Sequence, residues 1–400
     1  MKIVFVSNYM NHHQLPFSME IMGQGDVEYT FVALEPISQE RLDMGYEDMN
    51  HKYKFVLCAY DSDDAMRRAA DLIDIADVVI LGDSPDSYIV SRLKAGKLTF
   101  KYSERFYKRG LSVKNFLHAL AGAWLHHGRF QKYPLYMLCA SAYTAGDAAV
   151  FHNYIGRTFK WGYFPEAKKY DVSALMSRKM SITSGLKHSK TSILWAGRLI
   201  GWKHPDVSIL LAAFLKEKGY SFIMSIIGNG EMEQQLRSMI EEKGVSDCVE
   251  MLGAMSPGKV REHMEKADIF LFTSDFNEGW GAVLNESMNS GCAVVASHAI
   301  GSVPFLIKDG VNGLVYENGN KEQLTRKVCK LLDNPAYRKS LGTEAYNTIS
   351  DSWNAHVAAT RFVELTKAII VKGFVRDLFE DGPCSYAPII NNKWYHENEF

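Results

Sequence analysis

Short apolar runs alternate with longer amphipathic stretches along the second half of the chain. The apolar runs lie at 193–196, 222–227, 249–252, 269–273, 293–297 and 314–316. Continuous apolar strands separated by helices are typical of a parallel sheet that is covered on both faces. Gly219 and Gly244 stand where helices should end, and Ser256 followed by Pro257 predicts a helix start. This half is therefore predicted to form one doubly wound α/β domain.

The first half repeats the pattern less regularly, with apolar runs at 2–6, 29–33, 78–81, 98–102 and 135–140. The first run is much shorter than the core of a signal peptide, so it predicts a buried strand. A polar segment at about 166–190 is expected to be a linker. We therefore predict two Rossmann-like domains, an N-terminal one over 1–170 and a C-terminal one over 190–354.

Bulk composition limits the function without defining it. The chain has 400 residues, 47% of them hydrophobic, which is enough for two domains that each bury a core. A formal net charge of −1 argues against a general nucleic-acid binder. The six cysteines form no CxxC pair and fit buried thiols in a reducing compartment. No apolar stretch approaches the roughly 20 residues of a membrane-spanning helix. We therefore expect a cytoplasmic protein, at most peripheral on the inner face of a membrane.

Doubly wound sheets bind ligands beyond the carboxyl ends of their strands, so a cleft between two such domains is the expected place for chemistry. Residues 272–286 pass from a strand end, through a loop with Glu278, into a helix with Glu286. A carboxylate only accepts hydrogen bonds, and the hydroxyl groups of a sugar and of a ribose can donate them. We therefore expect one of the two glutamates to bind a sugar and the other a ribose. Otherwise both are solvated surface residues. The turn and helix start between them offer backbone N–H groups to a substrate diphosphate: Trp280, Gly281, Ala282 and Val283.

Two further loops are expected at the same edge of the sheet. The run at 193–196 is followed by Gly197 and Arg198, and Lys203 stands just before a helix that starts with proline. Two cations at a strand end neutralise a pyrophosphate and stabilise it as a leaving group. The run at 222–227 leads into Gly228 and Gly230, a weak signal that also fits a simple tight turn.

Taken in order, these residues resemble the family-4 glycosyltransferases, a large retaining family of GT-B architecture, of the type that makes bacterial cell-surface polysaccharide. In that family a Glu-x7-Glu motif precedes a small-residue strand and a Gly-Gly-x-Pro-Glu loop. Here Glu278 and Glu286 precede a strand at 291–297 and a loop at 301–305, and the segment 309–315 completes the match. The resemblance is close over about 192–315.

The resemblance implies a role for each residue. Arg198 and Lys203 would bind the donor diphosphate, while Glu278 would contact the transferred sugar and Glu286 would hold the ribose. The implied reaction is retaining hexosyl transfer from a nucleotide-diphosphate sugar, a UDP-sugar in preference to a GDP-sugar, to a glycan or lipid-linked acceptor. The resemblance implies no cofactor. In GT-B enzymes the last helix returns to the first domain, so 355–400 is expected to join 1–170.

Two other functions stay open at this point. A GT-B nucleotide-sugar epimerase or hydrolase would use the same donor pocket with an internal base or water in place of an acceptor. A noncatalytic sugar-nucleotide-binding protein would need no carboxylate facing the sugar, so Glu278 argues against it.

Some positions depart from the family pattern. Phe305 and Ser302 stand where relatives often have glutamate and glycine, so contacts near the base or the sugar are expected to differ. In place of a glycine-rich loop, the first strand is followed by His12 and His13, which either contact acceptor or phosphate or are ordinary surface residues. Glu104 takes the place of the family's catalytic-site histidine if the loop after 98–100 is the equivalent one.

Acidic pairs at 61–64 and 83–86 would fit a divalent metal, but both precede amphipathic stretches. Helix capping explains them more simply, and the resemblance implies no metal requirement. We therefore predict no metal site.

A basic stretch lies between Arg92 and Lys132. It holds ten lysines and arginines against one acid, Glu104, a local balance of 10 − 1 = +9. Aromatic and aliphatic residues interleave with these charges, a mixture expected at an anionic lipid interface. In the alternative arrangement the apolar residues pack inside the domain while the charges bind a polyanionic acceptor. Nucleic acid is not expected as a partner, given the donor motifs.

Overall fold

The computed structural model describes residues 1–43, 45, 47–108, 110–184, 190–373 and 375–395, with backbone alone for Glu40, Asp43 and 180–184. The chain forms two compact units. Unit 1 contains Met1–Glu166 and Trp353–Asn391. Unit 2 contains Ala167–Ser352 and the segment that begins at Asn392.

Unit 1 is built on a parallel sheet with the strand order β3-β2-β1-β4-β5-β6-β7 in the described part of the chain. Its strands are β1 (Lys2–Ser7), β2 (Glu28–Ala33), β3 (Val56–Cys58), β4 (Val78–Leu81), β5 (Leu98–Ser103), β6 (Leu135–Cys139) and β7 (Thr158–Lys160). Its helices are α1 (Leu15–Met22), α2 (Gln39–Asp43), α3 (Asp63–Ile75), α4 (Val90–Lys94), α5 (Phe116–His126), α6 (Thr144–Ala149) and, late in the chain, α15 (Ala355–Lys372).

Unit 2 is built on a second parallel sheet, whose described strands follow the order β10-β9-β8-β11-β12-β13. The strands are β8 (Thr191–Ala196), β9 (Phe222–Ile227), β10 (Val249–Gly253), β11 (Ile269–Phe272), β12 (Ala293–Ser297) and β13 (Leu314–Tyr316). The helices are α7 (Val172–Ser184), α8 (Pro205–Glu217), α9 (Glu233–Glu242), α10 (Pro257–Lys266), α11 (Val283–Asn289), α12 (Val303–Leu306), α13 (Lys321–Asp333) and α14 (Pro335–Asp351).

The sheets explain the apolar runs of the sequence. Central strands are covered on both faces, so consecutive side chains such as those of Ile269, Phe270 and Leu271 are all buried. The strand order reverses beside β1 in unit 1 and beside β8 in unit 2, which creates a switch point in each sheet. The predicted fold class, two doubly wound Rossmann-like domains, is confirmed.

The predicted terminal helix is α15, whose N-cap Asn354 accepts a hydrogen bond from the Val357 amide at 3.0 Å. Phe362 of this helix packs on Phe100 and Phe17 of unit 1, with ring centroids 5.2 and 6.2 Å away. Further along, the backbone at 384–387 bonds to the edge strand β7 through three hydrogen bonds of 2.7–3.0 Å. The return of the chain to unit 1 therefore extends to Asn391.

Two boundaries differ from the predictions. The segment 166–190, expected to be a linker, contains α7 and belongs to unit 2 from Ala167. The tail from Asn392 belongs to unit 2, whereas the whole of 355–400 was expected in the first domain. Strands β3 and β7, each of three residues, were not predicted. In the described part of the chain no helix is long and apolar enough to cross a membrane.

Candidate active site

Lys203 and Glu278 form an ion pair at the carboxyl edge of the unit 2 sheet. Lys203 lies in the loop after β8 and Glu278 in the loop after β11, and these strands are neighbours. The Lys203 ammonium donates a hydrogen bond to Glu278 Oε2, which also accepts one from Ser274 Oγ at 2.9 Å. The two side chains keep only 12% and 11% of their surfaces exposed. The predicted cation and carboxylate therefore lie side by side and largely out of water.

The loop after β8 is held by polar residues of the loop after β11. Thr273 Oγ1 donates to the Lys203 carbonyl at 2.7 Å and accepts from Trp195 Nε1 at 2.8 Å. The Asp275 amide bonds to the Trp202 carbonyl at 3.0 Å. Sequence reasoning missed Ser274, Thr273 and Asp275, because small polar residues after a strand carry no motif of their own.

Arg198 stands at the outer side of the same loop. Its side chain is exposed, and its guanidinium carbon lies 5.9 Å from the Trp202 ring centroid. The Lys203 ammonium lies 4.7 Å from the same ring. Trp202 is thus flanked by both predicted diphosphate-binding cations, a contact favoured by the negative face of the indole.

Gly228 lets the loop after β9 approach the loop after β8. Its φ is +141°, and an added Cβ would lie 1.8 Å from the Gly197 carbonyl oxygen. Gly230 repeats the arrangement, with a virtual Cβ 2.4 Å from the Leu199 carbonyl oxygen. The Leu199 amide donates to the Asn229 carbonyl at 2.8 Å. Both positions therefore require glycine for the loop after β9 to pack against the loop after β8.

The turn before α11 is packed, not open. Trp280 is fully buried, and its indole N–H donates to Asn285 Oδ1 at 2.9 Å. Gly281 has a φ of +83°, and an added Cβ would lie 2.3 Å from the Phe272 ring. Ala282 is the N-cap of α11 and supplies no side-chain hydrogen bond, and Val283 is the first helical residue. The first turn of this helix therefore has no side-chain cap of its own.

Glu286 lies in α11, where protein atoms crowd its carboxyl group although the residue as a whole keeps some exposed surface. Burial raises the pKa of Glu286 to about 7, and attraction to the Arg261 guanidinium opposes that rise. Arg261 is itself buried, donates from Nη2 to Asn289 Oδ1, and its Nε has no hydrogen-bond partner among the described residues. Arg261 was not predicted from the sequence, because it lies on α10, outside the motif.

The loop after β12 completes this edge. The Gly301 amide bonds to the Glu278 carbonyl at 3.2 Å, and Ser302 Oγ donates to the Trp280 carbonyl at 2.6 Å. Phe305 is buried, with its ring centroid 6.4 Å from that of Trp280. The two departures from the family pattern thus support the turn that carries Glu278.

A tail segment of unit 2 covers His298 at the start of this loop. His298 Nδ1 accepts from the Asn318 amide at 2.9 Å, so Nε2 is the donor to the Asn392 carbonyl at 3.0 Å. Trp394 Nε1 donates to the His298 carbonyl at 3.3 Å, and Tyr395 stacks on the imidazole at 6.1 Å. No sequence pattern indicated this contact, since it joins residues almost a hundred positions apart.

The predicted residues of unit 1 form a second group at the carboxyl ends of β1 and β5. The rings of His12 and His13 lie 3.7 Å apart, and His13 stacks on Tyr163 at 5.5 Å. The Tyr163 hydroxyl donates to Glu104 Oε1 at 2.7 Å, and Lys108 Nζ bonds to Glu104 Oε2 at 2.6 Å. Tyr163 thus links both histidines to Glu104, a connection the sequence did not indicate.

Burial sets the charge of this histidine pair. It lowers the pKa of His12 to about 4, with Arg41 adding to the effect. It also holds the pKa of His13 well below its ordinary value, helped by His12 and Arg41. His13 Nδ1 is buried without a hydrogen-bond partner in the described part of the chain. Both rings are therefore neutral at pH 7, and His13 offers a hydrogen-bonding nitrogen, not a positive charge.

The acidic residues considered for a metal have other partners. Ser62 caps α3 by accepting from the Ala65 amide at 3.1 Å, as capping predicts. Asp86 pairs with Lys101 and with His126. Within the described residues, one group of three side chains comes close enough to share an ion, namely His51, Cys58 and Asp61 of unit 1. His51 and Asp61 already bond to each other at 3.2 Å.

Three members of the basic stretch were wrongly assigned to its surface. Arg92 is buried and donates to four backbone carbonyls, among them Leu98 O at 2.7 Å. Lys101 is buried against Asp86, and Arg105 is buried against Asp147 at 3.0 Å. Arg109 lies outside the described residues. The local excess of surface charge is therefore smaller than the sequence count.

The match to a known sequence family falls in unit 2. Residues 177–348 match the model of the family described as Glycosyl transferases group 1. The amylovoran biosynthesis glycosyltransferase AmsK of Erwinia amylovora is 29% identical over 187 residues, 46% of this chain and 46% of the relative. The putative colanic acid biosynthesis glycosyltransferase WcaL of Salmonella typhimurium is 27% identical over 43% of this chain and 44% of its own length. The chain thus spans about half the length of the curated relatives it matches.

Solved structures match along almost the whole chain. Anabaena Alr3699/HepE, crystallised with UDP, has a TM-score of 0.66 at 14% identity and is covered over 100% of its chain and 92% of this one. A glycosyltransferase from Rickettsia africae has a TM-score of 0.65 at 14% identity, with coverage of 99% and 93%. At this identity the likeness establishes the two-domain fold alone.

Proposed function

We propose that this protein is a retaining glycosyltransferase. It moves a hexosyl group from a nucleotide-diphosphate sugar, preferentially a UDP-sugar, to a glycan or lipid-linked acceptor in surface polysaccharide synthesis. The observation that carries the proposal is the largely buried Lys203–Glu278 pair beside Arg198, at the carboxyl edge of a doubly wound sheet. The group 1 match over 177–348 and the polysaccharide enzymes among the relatives support it.

The proposed chemistry needs positive charge at the leaving group. The bond between the anomeric carbon and the diphosphate oxygen breaks, and the acceptor oxygen bonds to the same carbon on the same face. The acceptor proton passes to the departing phosphate oxygen, so no protein nucleophile takes part. Arg198 and Lys203 stabilise the charge that develops on the diphosphate. The uncapped first turn of α11 adds backbone N–H groups of the same polarity.

The two glutamates divide the donor between them. Glu278 Oε2 accepts hydrogen bonds from Lys203 and Ser274. These two bonds hold the carboxylate in the position where it would accept a hydrogen bond from a sugar hydroxyl. Glu286 accepts from the ribose hydroxyls in its ionised form. In unit 1, the neutral His13 and the Glu104 pair with Tyr163 contribute to acceptor binding.

Product analysis with a panel of UDP- and GDP-sugars tests the reaction, with and without a lipid-linked acceptor. Transfer with retained anomeric configuration, read by NMR of the product, supports the proposal. Free sugar in the absence of acceptor identifies a hydrolase, and an isomerised donor identifies an epimerase. Binding of nucleotide without turnover on any acceptor tested supports the noncatalytic alternative. An inverted product contradicts the retaining mechanism.

Substitutions test the residue roles. Glu278→Gln should slow transfer greatly while leaving UDP affinity, measured by calorimetry, nearly unchanged. Arg198→Ala and Lys203→Ala should each raise the activation free energy obtained from kcat/KM by about 2–4 kcal/mol, by analogy with lost oxyanion donors. Glu250→Gln, at an exposed position of β10, is the matched control. Normal turnover of either cation variant would exclude the diphosphate clamp.

A further inference from the structure

Helix α5 in unit 1 turns its apolar side chains outward. Leu117, Leu120, Ala121 and Trp124 follow the i, i+3, i+4, i+7 spacing of one helical face. Leu117 is 76% exposed, Trp124 is 60% exposed and Leu120 is 43% exposed. The side toward the unit is made of small residues, of which Ala123 is buried. We call the outward surface, together with Leu125, the apolar face of α5.

This orientation is the reverse of that of an ordinary surface helix, which buries its large apolar side chains and exposes its charges. Helix α5 has no lysine, arginine, aspartate or glutamate along its eleven residues. The residue Val113, just before it, is 96% exposed. Contiguous exposed apolar surface of this kind marks a binding surface. The alternative raised by the sequence, in which these apolar residues pack inside the domain, is wrong for the apolar face.

Exposed bases flank the apolar face along the chain. Six lysines and arginines and no acid lie between 105 and 146, but Arg105 pairs with Asp147 and Lys108 pairs with Glu104. Lys114 precedes α5, Arg129 and Lys132 follow it, and all three are exposed. The bases that turned inward, such as Arg105, do not contribute to this surface.

We propose that the apolar face of α5 and its flanking bases dock on an anionic lipid membrane. The helix would lie in the plane of the interface, its large side chains among the acyl chains and its bases among the headgroup phosphates. A second copy of the chain fits less well, because a two-fold contact would bring identical positive rims together. A polyanionic glycan would satisfy the bases and leave the apolar face in water. This inference goes beyond the proposed function and does not depend on it.

Vesicle flotation of the full chain tests the proposal. The probes are vesicles of phosphatidylcholine alone and of phosphatidylcholine with phosphatidylglycerol, each at low and high salt. Binding should require phosphatidylglycerol and weaken as salt screens the bases. The triple variant Lys114→Gln, Arg129→Gln, Lys132→Gln should lower the partition coefficient about 100-fold, from about 1 kcal/mol per base and 1.4 kcal/mol per factor of ten. The double variant Leu117→Ser, Leu120→Ser should weaken binding at both salt concentrations.

Matched variants separate this surface from general effects of charge and apolarity. Lys218, Lys243 and Lys321 are exposed in unit 2, so their joint change to glutamine removes the same charge elsewhere. Ile370 and Val371, 54% and 80% exposed in α15, give the apolar control on changing both to serine. Neither control should alter flotation, and circular dichroism should show every variant folded.

Several outcomes would overturn the proposal. One is the absence of flotation with anionic vesicles at low salt, and another is unchanged flotation of the Leu117→Ser, Leu120→Ser variant. A concentration-dependent dimer that this variant abolishes, in a protein that ignores vesicles, would assign the apolar face to a second copy. Transfer to a soluble acceptor is measured in parallel, so that loss of membrane binding and loss of the proposed activity are told apart.

Discussion

Changing Glu286 to glutamine should alter how both stability and nucleotide binding depend on pH. The carboxyl group has an ordinary pKa of 4.5, and burial raises the pKa of Glu286 to about 7 in the folded protein. Between these values the folded state binds a proton that the unfolded state has released. The free energy of unfolding therefore falls as pH rises from about 4.5 to about 7. The stabilisation that comes from the protonated Glu286 is fully present only below that window.

The magnitude follows from the two pKa values. A rise from 4.5 to about 7, at about 1.4 kcal/mol per pH unit, corresponds to about 3 kcal/mol. Glutamine has nearly the same shape and no charge. The Glu286→Gln variant should therefore match the wild type near pH 4.5 and exceed it by about 3 kcal/mol at pH 8. A buried carboxylate kept at this cost is consistent with a ligand role, because burial without a bonded partner destabilises the charged form.

Nucleotide affinity should move in the opposite direction. If ribose hydroxyls donate to the carboxylate, UDP binds the ionised form, so affinity should rise with pH up to about 7 and then level off. The Glu286→Gln variant should bind UDP weakly and without this pH dependence. The ribose assignment thus predicts better binding under the conditions where the free protein is less stable.

Three measurements check the argument. Carbon NMR of the glutamate carboxyl groups, compared between wild type and Glu286→Gln, gives the pKa directly. Unfolding in urea, monitored by hydrogen exchange of the α11 amides, gives the stability of unit 2 across the pH range. Calorimetry gives the UDP affinity. Glu250→Gln is the control and should change none of the curves in this way. A Glu286 pKa near 4.5, or equal UDP affinity in wild type and Glu286→Gln, would refute the reasoning.

Two further predictions concern the frame around the site. Gly228→Ala should destabilise unit 2 by several kcal/mol, because its added Cβ would clash with the Gly197 carbonyl oxygen. The control Gly219→Ala is also at positive φ but has nothing within 4 Å of its added Cβ, so it should cost only about 1 kcal/mol. Comparable melting temperatures of the two variants would contradict the steric argument. Trp394→Ala should speed amide exchange in the loop after β12, because it removes a bond to the His298 carbonyl, and leave exchange in α8 unchanged. Equal protection of the loop would show that the tail does not hold it.

The group of residues at the carboxyl edge of the unit 2 sheet was predictable because its signals are local. A strand end, a glycine and a charged residue follow one another within a few positions, as in 194–203 and 272–286. Parallel strands then bring Lys203 and Glu278 together without further information, since β8 and β11 are adjacent. The residues that hold this pair, such as Ser274, and the cation beside Glu286, Arg261, were missed. Their roles arise from packing between elements, which spacing along the chain does not encode.

The basic stretch shows where counting charge along a sequence misleads. Arg92, Lys101 and Arg105 contribute three of its ten positive charges, yet each is buried and serves the interior of unit 1. Arg92 bonds carbonyls at the end of α3, while Asp86 and Asp147 lie outside the counted window and neutralise the other two. The excess that matters for a membrane is held by bases that flank α5.

Because several bases of the stretch are buried, the apolar face of α5 says more about a binding partner than the positive charges do. A surface lysine is common and costs nothing to hydrate, so flanking charge alone would fit many polyanions. Exposed Leu117 and Trp124 on one helical face are uncommon in a folded domain, because their burial is the main driving force available to it. Small residues on the opposite side, such as Ala123, allow the helix to rest on unit 1 while its large side chains point away. The helix therefore exposes a surface that would gain from an apolar environment, which the described part of the chain does not supply, and in the proposed docking the flanking bases favour an anionic one.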